Sequence, residues 1–187
     1  MSARLFVAVA LGLLAAPARA ESKTEFTIAA LAGYAEEFHT LDTGALNRYG
    51  YGLGARAGVS TYDVYAGLAF IHGFGTHESA TGPGVTYEAR YRTTLVAPEL
   101  GWDLRLGRWF RVRPYLSAAM RFAYGYTSVQ GVTVDDNNTG IAAVPGTVAM
   151  VRLGDMFAGL DARMMLTRVD APRSWVPGVF ATVGWGF

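Results

Sequence analysis

The chain has 187 residues, no cysteine, 23 glycines, 13% aromatic residues and a formal net charge of +1. That is enough chain for one domain with a full core. The missing cysteines exclude disulfides, thiol chemistry and cysteine metal sites, and the near-neutral charge argues against nucleic acid as a partner.

Met1–Ala20 reads as an export signal: Arg4 gives a positive start, Leu5–Ala16 an apolar run, and Ala18-Arg19-Ala20 a small-residue cleavage site. The expected domains are therefore residues 1–20, removed on export, and 21–187. The run falls short of the ~20 residues a spanning helix needs. Losing Arg4 and Arg19 brings the remaining chain to about −1, with Lys23 its one lysine. No later apolar run is long enough for a spanning helix, which leaves a closed barrel as the other way to cross a membrane.

The next pattern is period two, the alternation of a strand. Lys23–Tyr34 alternates Phe26, Ile28, Ala30, Ala32 and Tyr34 against Thr27, Ala29, Leu31 and Gly33. Residues 35–48 are polar and loop-like. Tyr49–Ser60 sets Tyr49, Tyr51, Leu53, Ala55, Ala57 and Val59 against Gly50, Gly52, Gly54, Arg56, Gly58 and Ser60. Its glycines approach a dinucleotide-binding G-x-G-x-x-G, but they keep strand parity where that motif requires a strand followed by a helix. Thr61-Tyr62-Asp63 predicts a tight turn, Val64–Phe74 a third strand, and 75–86 a breaker-rich loop.

The fourth strand is expected over Tyr87–Leu104, with Tyr87, Ala89, Tyr91, Thr93 and Leu95 on the apolar side and Glu88, Arg90, Arg92 and Thr94 opposite. A parity slip at Pro98 would return Leu100, Trp102 and Leu104 to the apolar side. Phe110–Tyr124 then sets Val112, Leu116, Ala118, Met120 and Phe122 against Arg111, Arg113, Tyr115, Ser117 and Arg121. After a loop at 125–140 come strands at Ile141–Leu153 and Met156–Thr167, a loop at 168–175, and the terminal alternation Val179–Phe187.

Eight strands joined alternately by long loops and short turns, with aromatics near the strand ends, follow the layout of outer-membrane barrels. With the ending Val183-Gly-Trp185-Gly-Phe187 and the export signal, the chain resembles the small OmpA/OmpX-type outer-membrane barrels. That resemblance implies an all-β, eight-stranded antiparallel up-and-down transmembrane barrel in a Gram-negative outer membrane. It also implies an assembly signal at Trp185 and Phe187, read by the barrel-assembly machinery, and contact with outer-membrane lipid and lipopolysaccharide.

An eight-stranded barrel is just wide enough for side chains to fill. The face opposite the lipid should therefore carry a structural polar network of Arg56, Glu88, Arg90, Arg92, Glu99, Arg113, Arg121, Asp161 and Arg163. With Asp103, Arg105 and Arg111 added, arginines outnumber carboxylates, which is the argument for an anion-preferring pore.

Chemistry is weakly signalled. His39, His72 and His77 would form a metal site only if two loops met, and Asp135-Asp136-Asn137-Asn138 lacks EF-hand spacing. His72 with Ser79 suggests a lipid-A hydrolase, but no carboxylate completes a triad. No catalytic, cofactor or metal residue is assigned. The expected role is structural or surface-interacting, with an extracellular ligand reached through the loops 35–48, 75–86, 125–140 and 168–175. A soluble lipocalin-like barrel shows the same alternation with its apolar face inside; Phe187, the aromatic ends and the scarcity of lysine favour the membrane form.

Overall fold

A computed structural model describes residues 24–39, 47–167 and 174–187. Residues 1–23, which include the predicted export signal, and residues 40–46 and 168–173 of two predicted loops lie outside them. Eight long strands form an antiparallel meander: β1 Glu25–Ala35, β2 Gly50–Thr61, β3 Val64–Gly82, β4 Val85–Trp102, β5 Phe110–Val129, β6 Val132–Leu153, β7 Met156–Thr167 and β8 Ser174–Gly186. Phe38–His39 continues β1 against β8, and Leu104–Arg105 continues β4 against β5. β1 pairs with both β2 and β8, so the sheet closes on itself and leaves no edge in the barrel wall. The terminal residue joins the ladder: the Phe187 and Phe26 backbones exchange hydrogen bonds of 2.8 and 2.9 Å.

The alternation read from the sequence sets which face is outside. Phe26, Ile28, Leu53, Leu68, Phe70, Leu100, Leu116, Met120, Leu160, Val179, Val183 and Trp185 all point outward. A soluble barrel would bury that face; here it forms a continuous apolar band. From Val64 to Phe74, ten steps of about 3.3 Å tilted by about 40° climb about 25 Å, the height of such a band in outer-membrane barrels.

At one end the connections are tight. Tyr62 and Asp63 both take positive φ (51° and 62°), the requirement of a two-residue type I′ hairpin, and Gly154-Asp155 joins β6 to β7. At the other end two predicted loops are strands instead. β3 and β4 pair out to Gly82↔Val85 around Pro83-Gly84, with Gly84 at φ 78°. β5 and β6 pair out to Val129↔Val132 around Gln130-Gly131, with φ values of 52° and 81°. The glycines and Pro83 that suggested loops at 75–86 and 125–140 are turn residues and strand positions of two extended hairpins.

Two local readings are corrected. Tyr49 faces inward at 3% exposure, because Gly50 at φ 60° flips the alternation at the start of β2. β4 has no parity slip: Ala89, Thr93, Leu95, Ala97 and Glu99 all face inward and Val96, Leu100 and Trp102 outward. Pro98 keeps the outward side and interrupts only the ladder to β5, since it has no N–H to give.

Candidate functional site

The interior is built from small residues that let large ones lie across them. The Tyr65 ring lies where a Cβ on Gly58 or Gly67 would stand, and the Tyr115 ring covers Gly146 in the same way. Towards the tight-turn end, Asp103 accepts from Arg113 Nε (2.7 Å), Arg111 Nη1 (3.3 Å) and the Ser60 hydroxyl (2.6 Å). Arg113 stacks 3.7 Å from the Tyr65 ring centre, and Arg111 reaches on to Glu25 at 3.0 Å.

Midway along the barrel a second cluster spans five strands. Arg56 binds Glu99 (2.8 Å) and Asp161 (2.6 Å); Asp161 also receives the Tyr115 hydroxyl (2.8 Å) and Arg163. Arg163 in turn lies 5.0 Å from the Phe180 ring centre. The Asp161 side chain has no exposure at all and those of Arg56 and Glu99 almost none. Buried charges this dry persist only when paired and hydrogen-bonded.

Above this cluster the interior turns apolar, with Leu31, Ile71, Leu95, Val144, Met165, Val176 and Phe180 packed together. A cavity of about 10 Å³ remains there, lined by Tyr49, Ile71, Leu95, Met165 and Phe180, room for one water at most. At the far mouth the buried Arg121 donates to Asn138 Oδ1 at 3.3 Å.

The interior therefore holds Arg56, Glu99, Arg113, Arg121, Asp161 and Arg163 of the expected network, joined by Asp103 and Arg111. Glu88, Arg90 and Arg92 are not there. They occupy the outward face of β4, Arg92 at the upper limit of the apolar band and Arg90 and Glu88 beyond it. Their opposite parity to Ala89 and Thr93 was visible in the sequence; the error lay in assuming that every polar face turns inward. On an extended hairpin the outward face meets water. With those three outside and Arg105 at the exposed tight-turn end beside Asp63 (3.2 Å), the arginine excess largely disappears. Among the described residues five arginines and four carboxylates are buried, and Glu25 adds a fifth carboxylate at the rim.

On the hairpins, Glu88 accepts from the Tyr126 hydroxyl at 2.5 Å, with His77 at 3.4 Å and Arg90 at 3.8 Å. The Tyr126 hydrogen bond, helped by His77 and Arg90, holds the Glu88 carboxyl below the usual glutamate range and pushes the Tyr126 phenol up. His72 pairs with Thr94 at 2.9 Å and meets Phe74 edge to face. It is not brought to Ser79, seven residues or about 23 Å further along the same strand. Among the described residues no group of three His, Asp or Glu side chains is placed to hold a metal.

Three solved structures have this architecture. Neisserial surface protein A superposes with a TM-score of 0.61 at 14% identity, covering 87% of this chain and 97% of its own. A major outer membrane protein from Thermus thermophilus gives 0.61 at 13%, covering 88% and 100%. The N-terminal β-barrel domain of Pseudomonas aeruginosa OprF gives 0.55 at 15%, covering 89% and 100%. At such identities they speak for the fold alone. No curated protein sequence matches the chain. The family profile of the outer membrane protein beta-barrel domain matches residues 6–171, most of the chain. Closed sheet, outward apolar band, filled interior and family match agree: the chain belongs to the outer membrane protein beta-barrel domain family and is an eight-stranded barrel of the outer membrane.

Proposed function

We propose that the protein is a non-enzymatic outer-membrane barrel with a surface-interaction role, carried by the β3–β4 and β5–β6 hairpins. The observation that carries this reading is an inversion of polarity along unbroken strands. Within the band, outward residues are apolar and many inward ones are charged. Beyond Phe74, Arg92 and Tyr124, the outward residues are Arg90, Glu88, Tyr126 and Ser128, while Val85, Tyr87, Val129, Val132 and Val134 take the inward side. Such a pattern suits a sheet standing in water with an apolar inner face, and Val132 and Val134 are 69% and 63% exposed on it. The four strands pair with one another across this projection, which gives an extracellular partner a fixed platform.

The paired interior charges and the apolar layer above them weigh against the anion-preferring pore. His72, the histidine of the lipid-A hydrolase reading, bonds Thr94 and is not brought to Ser79, which weighs against that reading. The assembly signal is assigned to Trp185 and Phe187, both exposed at the closing end of β8. Contact with the barrel-assembly machinery and lipopolysaccharide belongs to the same proposal.

The test replaces residues 79–88 and 127–134 by Asn-Gly turns, joining the paired residues Glu78 and Ala89, and Tyr126 and Asp135. Cells displaying this variant should retain a barrel that migrates faster on gels unheated than boiled, yet lose adherence to surfaces coated with extracellular protein. Unchanged adherence from an assembled variant would remove the proposed role.

A further inference from the structure

The outward residues that close the top of the apolar band form one cross-strand row: Tyr34, Tyr51, Phe74, Arg92 and Tyr124, from β1 to β5. Four of the five are aromatic, as an interfacial girdle requires. Arg92 is the single cation among them. One row lower on the same two strands lie His72 and Thr94, hydrogen-bonded to each other; one row higher lie His77 and Arg90. A polar column thus cuts into the girdle at β3 and β4, while Leu53 and Ala32 continue the lower row as plain apolar surface.

Nearby acid does not neutralise the column at its centre. Glu88 sits a row above Arg90 and is engaged by Tyr126, with His77 and Arg90 alongside. Among the described residues no carboxylate lies within 4 Å of the Arg92 guanidinium.

We propose that Arg92, with Arg90 above and His72–Thr94 below, is a binding site for the phosphate of an anionic lipid in the outer leaflet, a phosphorylated glycolipid such as lipid A. Position selects the occupant. An outward side chain at the upper limit of the apolar band meets headgroups, not protein or bulk solvent. A guanidinium presents a planar fork that matches two phosphate oxygens. The Phe74 and Tyr124 side chains on either side shelter that contact from water, and the acyl chains below would lie along Phe70, Val96 and Met120, the outward row two steps down. The site follows from the height of the band and is independent of any extracellular partner.

The experiment uses the full folded chain in phosphatidylcholine vesicles, with and without added bisphosphorylated lipid A, reading the thermal unfolding midpoint from cold-versus-boiled gel mobility. Lipid A should raise the midpoint of the unaltered protein by several degrees. Arg92→Gln should lose most of that rise, and Arg90→Gln a smaller part. Arg108→Gln, which removes an arginine at the opposite end, should keep it. Each variant is first checked for a closed barrel, and Arg90→Gln carries the test should Arg92→Gln fail to close. The proposal is overturned if closed Arg92→Gln responds like the unaltered protein, if Arg108→Gln loses the response equally, or if dephosphorylated lipid A stabilises as well. An equal rise from free inorganic phosphate would also overturn it, by pointing to a soluble-anion site.

Discussion

Replacing Asp161 by asparagine tests the dry interior at its most connected point. Asp161 receives Arg56 (2.6 Å), Tyr115 (2.8 Å) and Arg163, and its side chain has no exposure. Arg56 retains Glu99, so its charge stays paired. Arg163 has no other carboxylate among the described residues and is left as a buried cation. Breaking a buried pair by removing one partner costs about 3–5 kcal/mol. With a urea dependence of about 2 kcal/mol per molar, typical of small proteins, the unfolding midpoint of Asp161→Asn should fall by about 1.5–2.5 M. Adding Arg163→Met removes the stranded charge and should restore part of the loss, as expected for residues in one network, which couple by about 0.5–3 kcal/mol. The assay is the cold-versus-boiled gel shift across a urea series in lipid vesicles. A fall under about 0.5 M would refute the reasoning, because it would mean that water reaches these charges and screens them.

Other consequences are as direct. Gly146→Ala places a methyl group inside the Tyr115 ring and should cost about 1–3 kcal/mol by overpacking; a thermal midpoint equal to that of the unaltered chain would contradict the packing described. Glu88 is held below the ordinary glutamate pKa, so the hairpin stability it contributes is present above that value and fades as pH falls through its lower, folded value. Carboxyl NMR titration should show this depression, and Tyr126→Phe should lift the Glu88 midpoint back towards ordinary glutamate. The chain should give no steady porin-like conductance in planar bilayers, since the apolar layer around Ile71, Leu95 and Phe180 leaves room for one water at most; regular conducting steps would contradict the plug. Phe187 pairs its backbone with Phe26 and stacks on its ring at 6.1 Å, so Phe187→Ala should slow membrane assembly more than it lowers the urea midpoint of barrel already folded.

Period-two alternation was enough to locate the strands inside the band. Met156–Thr167 matches β7 end to end, and β5 keeps the expected parity from Phe110 through Tyr124. It was also enough to find Arg56, Asp161 and Arg163, since a charge opposite a lipid-facing residue has only the interior to occupy. The largest misreading has a plain physical origin: alternation reports which residues share a face and says nothing about what that face touches. Glu88, Arg90 and Arg92 lie on the lipid side of β4 by parity, but at or above the upper limit of the apolar band. Treating them as interior made Leu95 lipid-facing and required a slip at Pro98 that the strand does not make. Tyr49 was misplaced because one positive-φ glycine resets the count, and the two hairpins were read as loops because their turn residues resemble loop residues in composition. Glu25 was missed as the partner of Arg111 and Arg152 because its pairing crosses the barrel between strands far apart in sequence.

Because the chain lacks cysteine, single cysteines along β5 can each carry a spin label, and their accessibility to oxygen and to a water-soluble nickel complex reads the environment of each position. Labels at 116, 120 and 122 should favour oxygen, the lipid signature; those at 126 and 128 should favour nickel; those at 117, 119 and 121 should be shielded from both. Oxygen accessibility at the odd positions, or lipid exposure continuing through 128, would contradict an apolar-outside barrel whose band ends at the row of Phe74, Arg92 and Tyr124.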